Sequence, residues 1–207
     1  MNLKSAADLL ILGLIYVIIH KIIIFLFGSS LSDFMIDLFT LLWVIATFTI
    51  ILFCYYFLKE VNSNNALIQI SLKGVIVFTA VIIILSLPLD AIQIVYNSAY
   101  MIFDLSSFFI VLLFFIFLIN FHNMLNEEFR MLKFLSFILI LGFGISLIFG
   151  LISNYHYIYF LITGNTSNPL DVLAPIANLA GLITMITEFL FLFQLRKINN
   201  YKNLLIK

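Results

Sequence analysis

The segment from Asp33 to Asn65, DFMIDLFTLLWVIATFTIILFCYYFLKEVNSNN, limits what this chain can become. Between Asp33 and Lys59 lie 25 residues with a single charged side chain, Asp37. As a helix rising about 1.5 Å per residue they reach roughly 37 Å, more than the roughly 30 Å hydrocarbon core of a bilayer. The segment is expected to be a transmembrane helix with an acidic and a basic end. Retained Lys and Arg mark the cytoplasmic side, so Lys59 points in and Asp33 out.

The rest of the chain repeats the pattern. Of its 207 residues 64% are hydrophobic and 10% charged, against roughly 25% charged in an ordinary soluble domain. Five further apolar runs give an all-α bundle of six transmembrane helices in one domain, near residues 7–27, 34–58, 73–96, 101–121, 134–155 and 172–195. The stretch ALIQISL before Lys73 either extends the third helix or lies at the interface, and Pro88 is expected to kink that helix. The first run, at about 20 residues and broken by His20 and Lys21, is too long for a signal peptide and is read as an uncleaved helix.

Charge tests this assignment independently. Lys4, Lys59, Lys73, Arg130, Lys133, Arg196, Lys197, Lys202 and Lys207 fall on one face, nine of the ten basic residues. The opposite face collects Asp33, Asp104 and Asp171. An even number of spans with both termini cytoplasmic, in the cell membrane, follows. The basic residues are too few and dispersed for nucleic acid. The expected partner is the lipid bilayer, with a small molecule as possible ligand.

Within the membrane, small residues mark packing faces because close backbone approach is a main source of helix association in lipid. Gly142, Ser146, Gly150 and Ser153 make one stripe on the fifth helix. Ala174, Asn178, Gly181, Thr184 and Glu188 make another on the sixth.

Four ionisable positions are candidates for substrate or ion binding: Lys21, Asp37, Asp90 and Glu188. A charge deep in the bilayer costs on the order of 3 kcal/mol unless it pairs or snorkels. Lys21 paired to Asp37 or Asp90, with His20, Gln93 and Asn97 nearby, would form a polar pocket open to the outside. The competing reading makes both aspartates interfacial, with Lys21 reaching the headgroups along its flexible stem. Glu188 is too short to snorkel, so it is expected to be protonated, paired or in water, with Lys73 as its most plausible partner.

No catalytic motif, nucleotide fingerprint, metal-ligand spacing or cofactor site is recognisable, and no catalytic residue is assigned. The lone Cys54 reads as a small buried hydrophobe. Three roles stay open: a small-molecule or ion carrier or binding protein, a membrane enzyme using Asp37 and Asp90 as acid and base on a lipid-like substrate, or a structural subunit. The last would leave Gly142 and Gly150 facing outward.

Two stretches carry a resemblance. LFCYYFLKEVNSNNALIQI has Leu58, Lys59, Val61, Asn62, Ala66 and Leu67 in a helix end and restart, and DVLAPIANLAGLITMITEFLFLFQLRK has Pro175 and Glu188 before a basic stop. Together, with Asp37 at an acidic position, they resemble the six-helix bacterial and archaeal membrane proteins known as domain of unknown function 4386. Glu60 stands where that motif usually has Pro, and the fifth helix lacks a Leu-Pro-Arg lead-in. The resemblance implies the six-helix architecture, singles out Glu188 and names no substrate.

Overall fold

A computed structural model describes residues 1–27, 33–61, 65–86, 96–163, 174–198, 201 and 204–205. They form α1 (Leu3–Phe27), α2 (Asp33–Val61), α3 (Ala66–Ser86), α4 (Tyr96–Met124), α5 (Arg130–Thr163) and α6 (Ala174–Arg196). Each contains a stretch long and apolar enough to cross a membrane. The protein is therefore an all-helical, multi-pass membrane protein. Among the described residues the only β feature is an isolated bridge between Leu125 and Leu205.

Local chemistry sets where helices begin. The side-chain oxygen of Asn2 accepts from the Ser5 amide at 2.9 Å, that of Asn65 from Leu67 at 2.8 Å, and that of Asn126 from Glu128 at 3.3 Å. These asparagines satisfy amide donors that a first helical turn leaves unbonded. The cap at Asn65 resolves the choice for ALIQISL, which is the first part of α3.

Two boundaries differ from the sequence expectation. Tyr96 opens α4 instead of closing α3, because a continuous apolar run does not reveal where one helix gives way to the next. Pro88 and its expected kink lie outside the described residues. The fifth helix runs on past Tyr155 to Thr163. Its 34 residues span about 50 Å, so one end projects beyond the hydrocarbon layer, where backbone bonds hold a helix without apolar side chains.

The helices pack in chain order, each on its sequence neighbours, and α6 returns to α1. This order describes a closed ring. Leu12, Val77, Ile84 and Ile148 are exposed on its outside, as a lipid-facing surface requires. Both chain ends gather at the end that bears Lys59, Lys73, Arg130 and Arg196. There the Leu3 amide donates to Glu60 Oε1 at 2.8 Å, and Arg196 Nε lies 2.7 Å from Asp8 Oδ1.

Close approach at the seams depends on glycine. A Cβ on Gly13 would sit 2.8 Å from Thr49 Oγ1 and 3.2 Å from the Ala46 carbonyl, and one on Gly142 would collide with Thr184 Oγ1. The stripe on α5 serves two seams, not one: Gly142 meets α6, whereas Gly150 meets Phe108 of α4. Eight residues turn a helix by about 80° beyond two full turns, enough to change neighbours. Both glycines face their own chain, so the outward-facing pair expected of a docking subunit is absent. Gly181 has open space around it.

The ring is filled at its basic end. Phe57 of α2 meets Phe117 and Phe121 of α4 at centroid separations of 5.2 and 5.6 Å, and Phe121 meets Phe191 of α6 at 5.7 Å. These rings come from alternate helices and so meet across the centre. Leu3, Cys54, Leu72, Val75, Leu135 and Leu195 extend the same buried cluster to every helix.

Candidate functional site

The aromatic plug makes a dry floor, and the inward faces change character away from it. On α3 the buried stripe Ile68, Leu72, Val75 continues to Thr79, one turn beyond Val75. On α4 the inward series from Phe121 and Phe117 continues to buried Ser106. On α6 Thr187 and Thr184 follow Phe191, and Glu188 lies beside them at the edge of the same face. Thr79, Ser106, Thr184 and Thr187 thus place hydroxyls inside the bundle beyond the Phe57–Phe121 cluster, beside buried apolar residues such as Ile82 and Leu147.

Most of these hydroxyls are satisfied within their own helix. Thr49 donates to the Ala46 carbonyl at 2.6 Å, Thr184 to Ala180 at 2.8 Å and Thr187 to Ile183 at 2.8 Å. Thr79 differs: its Oγ1 is fully buried and has no hydrogen-bond partner within the protein. A buried hydroxyl left so costs about 1–3 kcal/mol, and among the described residues only the Tyr201 hydroxyl shares that condition.

Glu188 is half-buried and has an interaction partner in the fold. Lys73, the partner expected from sequence, is exposed on α3, which stands across the ring from α6. Ring order, invisible to a helix-by-helix depth count, separates them.

At the acidic end the structure brings part of the expected pocket into register. The Tyr16 hydroxyl donates to the Phe39 carbonyl at 2.8 Å. The His20 ring stacks on Tyr16 at 5.8 Å and lies 5.4 Å from Phe39. Lys21 follows His20 and Asp37 precedes Phe39 by two residues, so their backbones occupy neighbouring positions on α1 and α2. The side chains of Lys21 and Asp37, together with Asp90, Gln93 and the Asn97 side chain, lie outside the described residues.

The basic end holds polar groups that the sequence did not single out. Asp8 pairs with Arg196 and closes the α1–α6 seam, Glu60 caps α1, and Tyr201 is buried beneath them. Burial, then the nearby Glu60 and Asp8 carboxylates, hold the Tyr201 phenol above its ordinary pKa. Both partners of the Asp8–Arg196 pair are about two-fifths exposed, so it contributes less than about 1 kcal/mol and serves mainly to set register.

His122 has a structural role. Its Nδ1 lies 3.1 Å from the Lys133 carbonyl and 2.9 Å from Ser136 Oγ, and Ser136 itself donates to Lys133 O. A carbonyl only accepts, so the contact calls for a proton on Nδ1. The histidine staples α4 to α5. Among the described residues no three of His, Cys, Asp and Glu gather as metal ligands. No family model, curated protein or solved structure matches the chain, so a functional reading rests on this geometry.

Proposed function

We propose that this membrane protein binds or carries a small molecule or ion within its ring, at Glu188 and at a pocket formed by Lys21, Asp37 and Asp90. The observation that carries the reading is the polar groups held inside the bundle. The basic end is packed with Phe57, Phe117, Phe121 and Phe191, while buried Thr79 and Ser106 and half-buried Glu188 lie beyond them. Polar groups retained inside lipid are costly and mark ligand or ion paths. The register of His20 against Phe39 supports a meeting of Lys21 with Asp37, and the likeness to the domain of unknown function 4386 family fits the same architecture.

The test asks whether Glu188 faces water. In a Cys54→Ser background, Glu188→Cys is expected to react with a charged methanethiosulfonate reagent, whereas Leu190→Cys, on the exposed apolar surface, is expected to stay inert in the bilayer. Equal inertness at both positions would place Glu188 against lipid or dry protein and end the carrier reading.

A further inference from the structure

Most described cations at the basic end have a counterpart within the chain. Arg196 pairs with Asp8 and Lys133 with Glu127, while Lys59 lies 5.8 Å from the centre of the Tyr56 ring and Lys197 4.6 Å from that of Phe193. Lys4 and Arg130 are exposed in the first turns of α1 and α5, at the ends of the spans. Lys73 has neither advantage. It is exposed, and among the described residues no acid or aromatic ring meets it. It also lies inside a span, since α3 is apolar enough to cross a membrane along its whole length, Ala66–Ser86. Ile70 and Val77, one turn to either side on the same face, are 63% and 60% exposed. Lys73 therefore interrupts a lipid-facing stripe, where a cation is costly unless it pairs.

Helix geometry sets a second group beside it. On α3, Gly74 faces Leu113 and Phe78 stacks on Phe109, which marks the side toward α4. Lys73 is about 100° round the helix from Gly74, about 140° from Phe78 and about 160° from buried Val75. It thus stands on the outer face, on the flank toward α2. On α2, Glu60 meets Leu3, which marks the side toward α1. Tyr55 is about 140° from Glu60 and about 160° from buried Phe57, hence on the outer face toward α3. Tyr55 lies about 9 Å from the end of α2 and Lys73 about 10 Å from the start of α3, with only residues 62–65 between the helices, so the two stand at nearly one level. The half-exposed Tyr55 ring is braced edge-on by Tyr56 at a centroid separation of 5.2 Å. Such a phenol offers a donor on an apolar body, the form favoured at a membrane interface.

We propose that the outer groove between α2 and α3 at the basic end binds an anionic phospholipid, with the Lys73 ammonium as counter-charge to its phosphate and the Tyr55 hydroxyl as a donor to the same group. The flexible stem of Lys73 lets its ammonium turn back toward the basic end, where the headgroups lie. Soluble anions do not enter lipid, so the anion within reach of this face is the phosphate of the bilayer itself. A zwitterionic lipid brings its own cation to that phosphate, whereas an anionic one leaves the charge for Lys73. Ile70 and Val77 line the same face for the acyl chains. The site is on the outside of the ring and is independent of any ligand within it.

Titration of the full-length protein in mild detergent with phosphatidylglycerol or phosphatidylcholine, read by native mass spectrometry as lipid retained, tests the site. The first phosphatidylglycerol is expected to bind about fivefold more tightly than phosphatidylcholine, and Lys73→Met to abolish that preference. Lys73→Arg is expected to keep it, and Tyr55→Phe to weaken phosphatidylglycerol binding about threefold. Lys59→Met, which removes an ammonium already held over Tyr56, is expected to change it by less than about twofold. All three positions are exposed, so the substitutions leave the packed interior intact. Equal retention of the two lipids by the parent would overturn the proposal, as would an undiminished preference in Lys73→Met. A loss in Lys59→Met as large as in Lys73→Met would also overturn it, since the preference would then belong to the basic end as a whole. Displacement of the lipid by excess inorganic phosphate would do the same, by making the ligand a free anion.

Discussion

Gly142→Ala is expected to be the most damaging single-methyl change in the protein, lowering stability by about 3 kcal/mol, at the upper end of ordinary overpacking effects. The new Cβ would occupy the place of Thr184 Oγ1, with Thr184 Cβ and Cγ2 at 3.2 and 3.3 Å. Thr184 is β-branched, short and held to the Ala180 carbonyl, so it has little freedom to turn aside. Relief requires α5 and α6 to separate, and the dispersion contacts along that seam weaken together. Gly181→Ala is the internal control: nothing lies within 4 Å of its Cβ position. There the better helix propensity of Ala is expected to hold or raise stability by up to about 1 kcal/mol. Combining Gly142→Ala with Thr184→Ala removes the colliding oxygen and should recover part of the loss. Denaturation of the purified protein in mild detergent checks all three, and a Gly142→Ala protein as stable as the parent would show that the two helices are not in contact there.

Phe121→Ala is expected to cost about 3 kcal/mol, the scale of a large aromatic removed from a packed interior. Phe121 is 0% exposed and touches Phe57, Phe117 and Phe191, the point where α2, α4 and α6 meet. In a bilayer the transfer of apolar surface from lipid to protein contributes little, so the loss comes from dispersion contacts and the cavity left behind. That distinction is itself measurable. Phe134, 57% exposed, exchanges protein contact for lipid contact, and Phe134→Ala is expected to change stability by less than about 0.5 kcal/mol. Equal effects at the two positions would mean that the ring has no packed centre.

The architecture was legible in the sequence because lipid imposes a length and a polarity on each segment. The runs that became α1, α2 and α6 stand within a few residues of their expected limits. The start of α4 and the far end of α5 were not legible, since apolar content marks a membrane span and not a helix terminus. Packing was half legible. The stripe on α5 identified Gly142 and Gly150 as contact residues, but a linear spacing cannot say that the two face different neighbours. Ring closure was hidden altogether. Asp8 meets Arg196 only because the first and last helices adjoin, and the same order strands Lys73 across the ring from Glu188. Tyr201 gave no signal in a polar tail, yet it joins the buried cluster together with Leu204 and Leu205.

Closure of the ring by α1 against α6 underlies the plug at the basic end. In a Cys54→Ser background, Asp8→Cys with Arg196→Cys is expected to be joined within one molecule by a short bismaleimide. Arg196→Cys with Lys73→Cys, across the ring, is expected to remain unlinked. Efficient linkage of the second pair and none of the first would contradict the ring.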